Sequence, residues 1–140
     1  MDERAKNSKY RLLEIHLIIH SPKGFTFMKN LEHIKAAVDA LTDKKGENII
    51  ALDIEGVSTL TDAIVVAEGA VDRHVNALAH NVRDDLKKKF GLIPHISEGE
   101  QTGEWVLLDY VHFIIHIFQP KTRDFYRIEQ LYPEAKILEL

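Results

Sequence analysis

The sequence predicts an α/β fold, a mixed β-sheet of about five strands flanked by helices. Three observations carry that prediction. Short apolar runs of strand length are interspersed with two long stripes at helical spacing. All seven glycines and all four prolines fall between these segments, where they are least costly. The chain has 140 residues, enough for one domain with a core of its own.

Residues 1–27 stand apart as an N-terminal extension. A charged opening precedes the apolar run Leu12 to Ile19, which Glu14 and His16 interrupt, and this is wrong for a secretory signal. The run is too short for a bilayer, which needs about 20 apolar residues, and the acidic leader disfavours organelle import. Met28 directly precedes the first helical stripe and is a candidate start, so the domain is taken as 28–140. Leu31, Ile34, Val38 and Leu41 predict a helix over 31–45, with Asn30 as N-cap and Gly46 as left-handed C-cap. The continuous apolar run 49–54 predicts a strand buried on both faces, and a polar loop over 55–62 separates it from a strand at 63–68.

Val71, Val75, Leu78, Val82 and Leu86 form the stripe of a helix over 72–90, closed by Lys87, Lys88, Lys89 and Gly91. A short strand at 95–98 completes a βαβ crossover with the strand at 63–68, expected to be right-handed with parallel strands. Strands at 105–110 and 113–118 form an antiparallel hairpin. Pro120 opens a last helix carrying Phe125, Ile128 and Leu131.

Composition removes several functions. There is no cysteine, hence no disulfide, thiolate metal site or cysteine nucleophile. The net charge of −4 is wrong for a protein that holds nucleic acid by neutralising phosphates, so no sequence-specific nucleic-acid binding is expected. Eight histidines invite a metal reading, but His112 and His116 would stand about 13 Å apart along one strand. His74 and His80 fall on different helix faces, so structural roles are expected and no metal site. No nucleophile elbow, Walker loop or dinucleotide fingerprint is present. Asp53 and Asp62 could hold magnesium in a nucleotidyltransferase-like, metal-dependent enzyme, yet as a strand end and a cap they read more simply as structural.

The segment 104–110, Glu-Trp-Val-Leu-Leu-Asp-Tyr, stands out. Alternation puts Trp105, Leu107 and Asp109 on one face of a strand and Val106, Leu108 and Tyr110 on the other. Large apolar groups on both faces mean that either both are covered or one meets a partner. Glu98, Glu100, Glu104 and Asp109 would supply an acidic rim suited to a basic partner. The same strand could also pair two copies of this chain in a homodimer.

In order along the chain stand Ala-Leu-Asp-Ile (51–54), Ser-Thr-Leu-Thr-Asp (58–62), Asp-Arg-His-Val (72–75) and Gly-Glu-Trp-Val-Leu-Leu-Asp-Tyr (103–110). With His-Ile-Phe (116–118) and Arg-Asp-Phe-Tyr (123–126), they resemble the Iojap family, the ribosomal silencing factors, over residues 28–132. The resemblance implies a cytoplasmic, cofactor-free binding protein with a nucleotidyltransferase-like sheet that lacks the catalytic signature. It implies attachment to the large ribosomal subunit through ribosomal protein fourteen, which blocks subunit joining and represses translation when nutrients are scarce. It also implies a partner site at Trp105, Leu108 and Tyr110, flanked by Leu107 and Asp109. Three positions depart from the family. Val111-His112 replaces a glycine–aspartate turn, Ala70-Val71 replaces a serine-rich helix entry so that Asp72 must cap, and Tyr132 replaces a final tryptophan.

Overall fold

The structure is a computed structural model that describes residues 22–140, with side chains described from residue 30. Most of the extension expected over 1–27 therefore lies outside the described residues. The element order is α1 (Pro22–Asp43), β1 (Glu47–Asp53), β2 (Ala63–Glu68), α2 (Asp72–Phe90), β3 (Ile96–Glu98), β4 (Trp105–Asp109) and β5 (Phe113–Phe118). Helix α3 (Pro120–Tyr126), a 3-10 turn (Ile128–Leu131) and β6 (Lys136–Ile137) complete it. Residues 33–140 form one compact unit.

The fold is α/β, as expected, and the sheet has six strands in the order β3-β4-β5-β2-β1-β6. Strand β5 runs parallel to β2, with Ala63 opposite Phe113 through Glu68 opposite Phe118, and every other neighbouring pair is antiparallel. The expected crossover therefore holds in direction but not in adjacency, because β4 and β5 lie between β2 and β3. Burial explains the order. Strand β5 is almost wholly apolar and takes the centre, whereas all three residues of β3 are exposed and suit an edge.

Both long helices cover one face of the sheet. Ile34, Ala37 and Leu41 of α1 and Val75, Leu78, Val82 and Leu86 of α2 pack with Val65, Val106, Leu108, Phe113, Ile115 and Ile117. The opposite face carries a smaller core of Leu52, Ile54, Ile64, Val66, Phe118 and Ile128. Among the described residues, only the C-terminal segment contributes covering residues there, through Ile128, Tyr132 and Ala135, and these leave the β3–β4 side open.

Several terminators differ from expectation. Helix α1 begins at Pro22, so Asn30 and Gly24 lie inside it. Proline is at home in a first turn, and one interior glycine costs only about 1 kcal/mol. Lys45 (φ 62), not Gly46, takes the left-handed position after α1. A Cβ at Gly46 would meet the Leu41 carbonyl oxygen at 2.9 Å, so that glycine serves close approach. Gly91 is left-handed as expected (φ 68). Asp72 does not cap α2 but is its first residue, and Val71 stands at the cap without a side-chain bond. His74 compensates: its Nδ1 accepts the Ala70 N–H at 3.1 Å, and Nε2 lies 2.8 Å from the Lys44 carbonyl oxygen.

The last helix also stops early. Arg127 adopts φ 46 and splits the expected stripe, so Ile128 is buried while Phe125 and Leu131 are exposed. The following strand β6, absent from the sequence reading, pairs with Leu52 and Asp53.

The β4–β5 turn is strained. Val111 has φ 75 at the centre of a three-residue turn closed by His112 N–H to the Tyr110 carbonyl at 3.0 Å. A β-branched residue there is an outlier costing roughly 1–3 kcal/mol. Neighbours hold it: Val111 N–H donates to Asp109 Oδ1 at 2.7 Å, and Thr61 Oγ1 donates to the Val111 carbonyl at 2.9 Å. Val111→Gly should therefore stabilise the protein by about 1 kcal/mol net of the freer unfolded chain. Thermal unfolding checks this; a lowered midpoint would show that the valine is not strained.

Candidate partner-binding face

Strand parity decides which side of the tryptophan strand is available. Val106 and Leu108 are fully buried and Tyr110 is 8% exposed, whereas Trp105, Leu107 and Asp109 are half-buried on the opposite, open face. Of the five residues expected at the partner site, Leu108 and Tyr110 lie in the core. Their side chains point toward the two long helices because both continue the inward alternation of β4. The Tyr110 ring stacks on Phe113 at 5.0 Å, and burial pushes its hydroxyl pKa up to about 12 against the opposing pull of Arg83.

Trp105 is held at the border of the open face. Its ring centroid lies 4.8 Å from that of Phe118, 5.0 Å from Tyr126 and 5.8 Å from His116. Its Nε1–H donates to His116 Nδ1 at 3.1 Å. An indole nitrogen can only donate, so His116 Nδ1 must accept, and a neutral His116 carries its proton on Nε2. Burial lowers the His116 pKa to about 4, although the carboxylates of Asp109 and Glu129 pull it upward. Because the folded value lies below the ordinary 6.5, the unfolded chain binds more protons between pH 6.5 and about 4. His116 should therefore withdraw up to about 3 kcal/mol of stability as pH falls through that window. His116→Asn, in which this titration is absent, should show a shallower acid loss in denaturant unfolding; an unchanged slope would count against a buried neutral imidazole.

Cross-strand register completes the face, setting Leu107 opposite His116 and Asp109 opposite Ile114. Ile96 and Glu98 continue it on β3, opposite Asp109 and Leu107. Beside Trp105, α3 presents Phe125 at 79% and Tyr126 at 52% exposure. These rings border an open cleft of about 490 Å³ that Glu104 and Gln119 also line. Phe125, Tyr126 and His116 were not singled out as site residues from the sequence. The signal for the first two was the Arg-Asp-Phe-Tyr motif, once the helix was known to end at Tyr126.

Arg123 fixes this aromatic ledge. Its Nη1 donates to Glu68 Oε2 at 2.8 Å and to the Asn48 carbonyl at 2.6 Å, and its Nε donates to Glu129 Oε1 at 2.9 Å. Asn48 can offer its carbonyl because it adopts φ 50 in a bulge of β1. Gln119 adds bonds from its N–H to the Glu104 carbonyl (2.9 Å) and from Nε2 to the Gly103 carbonyl (3.0 Å).

The acidic rim is smaller than expected. Glu100 is spent on Arg83 of α2, which contacts both carboxylate oxygens and also Ser97 Oγ. Glu98, Glu104 and Asp109 remain, the last also accepting the Val111 N–H. Asp53 Oδ1 accepts the Glu55 N–H at 3.0 Å, and Asp62 Oδ2 lies 3.5 Å from His112 Nδ1. Among the described residues, no group of three or more histidines and carboxylates is placed to hold a metal. No helix among them is long and apolar enough to cross a membrane.

A family model described as "Ribosomal silencing factor during starvation" matches residues 28–140. A ribosomal silencing factor RsfS from Chromobacterium violaceum is 41% identical over 109 residues, covering 78% of this chain and 88% of that protein. A crystal structure of a protein from the same organism superposes with a TM-score of 0.70 at 41% identity, covering 73% of this chain and 84% of that one. The Mus musculus protein named mitochondrial assembly of ribosomal large subunit protein 1 is 27% identical over 101 residues, which span 71% of this chain and 44% of that protein.

Proposed function

We propose a binding function on one premise: this chain belongs to the family of ribosomal silencing factors. The family is not one of known enzymes. The reading is that the open face docks on the large ribosomal subunit through ribosomal protein fourteen. Bound there, the protein obstructs joining of the small subunit and represses translation under nutrient limitation, in the cytoplasm.

One observation carries the reading. Trp105 and Leu107 sit on a sheet face that the long helices leave open, beside the exposed rings of Phe125 and Tyr126. Aromatic anchors surrounded by polar groups are the usual centre of a protein interface, and about 800 Å² per partner suffices for specific attachment. Glu98, Glu104 and Asp109 favour a basic partner. The name of the mouse relative, which refers to assembly of the large subunit, supports the choice of subunit.

Incubation with purified large subunits tests the function. The protein should pellet with them, and pre-bound subunits should fail to join small subunits. Joining at the normal extent by subunits carrying the protein would overturn the obstruction. Self-association through the same face would instead show as concentration-dependent sedimentation that large subunits reverse.

A further inference from the structure

We propose that His116 is a positioning residue for docking: by accepting the indole N–H it holds Trp105 in the orientation that the partner meets. The inference rests on the binding reading of this face. The rings of Phe118 and Tyr126 pack against the indole at 4.8 and 5.0 Å, but dispersion contacts have weak directional preference and leave the ring free to tilt. The hydrogen bond to His116 Nδ1 at 3.1 Å is the directional element. It also answers a need, because a part-buried indole N–H that has lost water without gaining an acceptor is costly.

The arrangement works in only one protonation state. A second proton on the imidazole, or a shift of its single proton to Nδ1, places two donors face to face. The titratable groups around the ring are Asp109 from β4, Glu129 from the 3-10 turn and Tyr126 from α3, which reaches it through the indole. Both carboxylates favour the cation, yet burial dominates and keeps the ring neutral. The acceptor is thus present throughout the neutral pH range. A ring fixed before contact does not have to be ordered on binding, and ordering costs roughly 0.5–1.5 kcal/mol per flexible side chain.

The chain has a single tryptophan, so its fluorescence reports this one indole. His116→Phe preserves an aromatic ring without an acceptor, while His116→Asn restores an oxygen near the Nδ1 position. The phenylalanine variant should show lower indole anisotropy and bind purified large subunits about fivefold to tenfold more weakly. The asparagine variant should recover both. Wild-type emission should change on acid titration with a midpoint near 4 that both variants lack.

Wild-type affinity in the phenylalanine variant, or equal weakening in the asparagine variant, would overturn the positioning role. If the phenylalanine variant does not fold, the asparagine variant and the wild-type titration decide, and a wild-type emission that stays flat until the protein unfolds in acid overturns it. Failure of wild-type protein to bind large subunits removes the docking reading itself, and the inference with it, even where the indole readouts show the ring held by His116.

Discussion

Trp105→Ala should weaken pelleting with large ribosomal subunits by about 30-fold or more, the loss of roughly 2 kcal/mol or more that marks a central aromatic anchor. The indole is half-buried against Phe118 and Tyr126, so truncation also lowers stability. Phe125→Ala separates the two effects. Phe125 is 79% exposed and lies outside both core clusters, so its loss should weaken binding while leaving the unfolding midpoint near wild type. Leu108→Ala should do the reverse, costing about 2–5 kcal/mol of stability through a core cavity, with binding spared in the fraction that folds. Full binding by both Trp105→Ala and Phe125→Ala would remove this face as the docking surface.

Arg123→Met should destabilise the protein by about 3 kcal/mol and weaken docking as a consequence. Arg123 and Glu68 have side chains only 12% exposed, and Glu129 is 25% exposed. Removing the guanidinium leaves two carboxylates facing a gap with little water to solvate them. The same guanidinium ties α3 to the bulge of β1 through the Asn48 carbonyl, so the Phe125 and Tyr126 ledge should loosen with it. Thermal unfolding measures the first effect and subunit pelleting the second. Adding Glu68→Gln and Glu129→Gln to Arg123→Met should recover part of the stability, because the cost lies mainly in stranded charge rather than in a lost bond. An Arg123→Met protein as stable as wild type would show that the network contributes nothing net.

Much of this was legible in the residues. The stripe Val75–Leu86 marked the buried face of α2, and Gly91 marked its end. The alternation over 105–110 already separated Trp105, Leu107 and Asp109 from Val106, Leu108 and Tyr110. What it left open was which set faces outward. Periodicity sorts side chains into two faces but carries no information about which face a distant helix will cover. Here α1 and α2 both settle on the Leu108 side.

Other features depended on contacts between segments far apart in the chain. The break at Arg127 and the pairing of β6 with β1 turn an expected helical stripe into an exposed aromatic ledge. Arg123 reads as an ordinary helix-surface residue until the fold brings Glu68 and Asn48 against it, 55 and 75 residues away. Glu100 counted toward an acidic rim until Arg83 neutralised it.

By itself, the sequence determined the fold class, the two long helices, the pairing of β4 with β5 and the family, because these follow from local periodicity and ordered motifs. Only the tertiary structure decided the strand order, the open face, the charges left on its rim and the hold of His116 on Trp105. Each of those is set by which groups lose water to one another in three dimensions, and neighbours along the chain do not encode that choice.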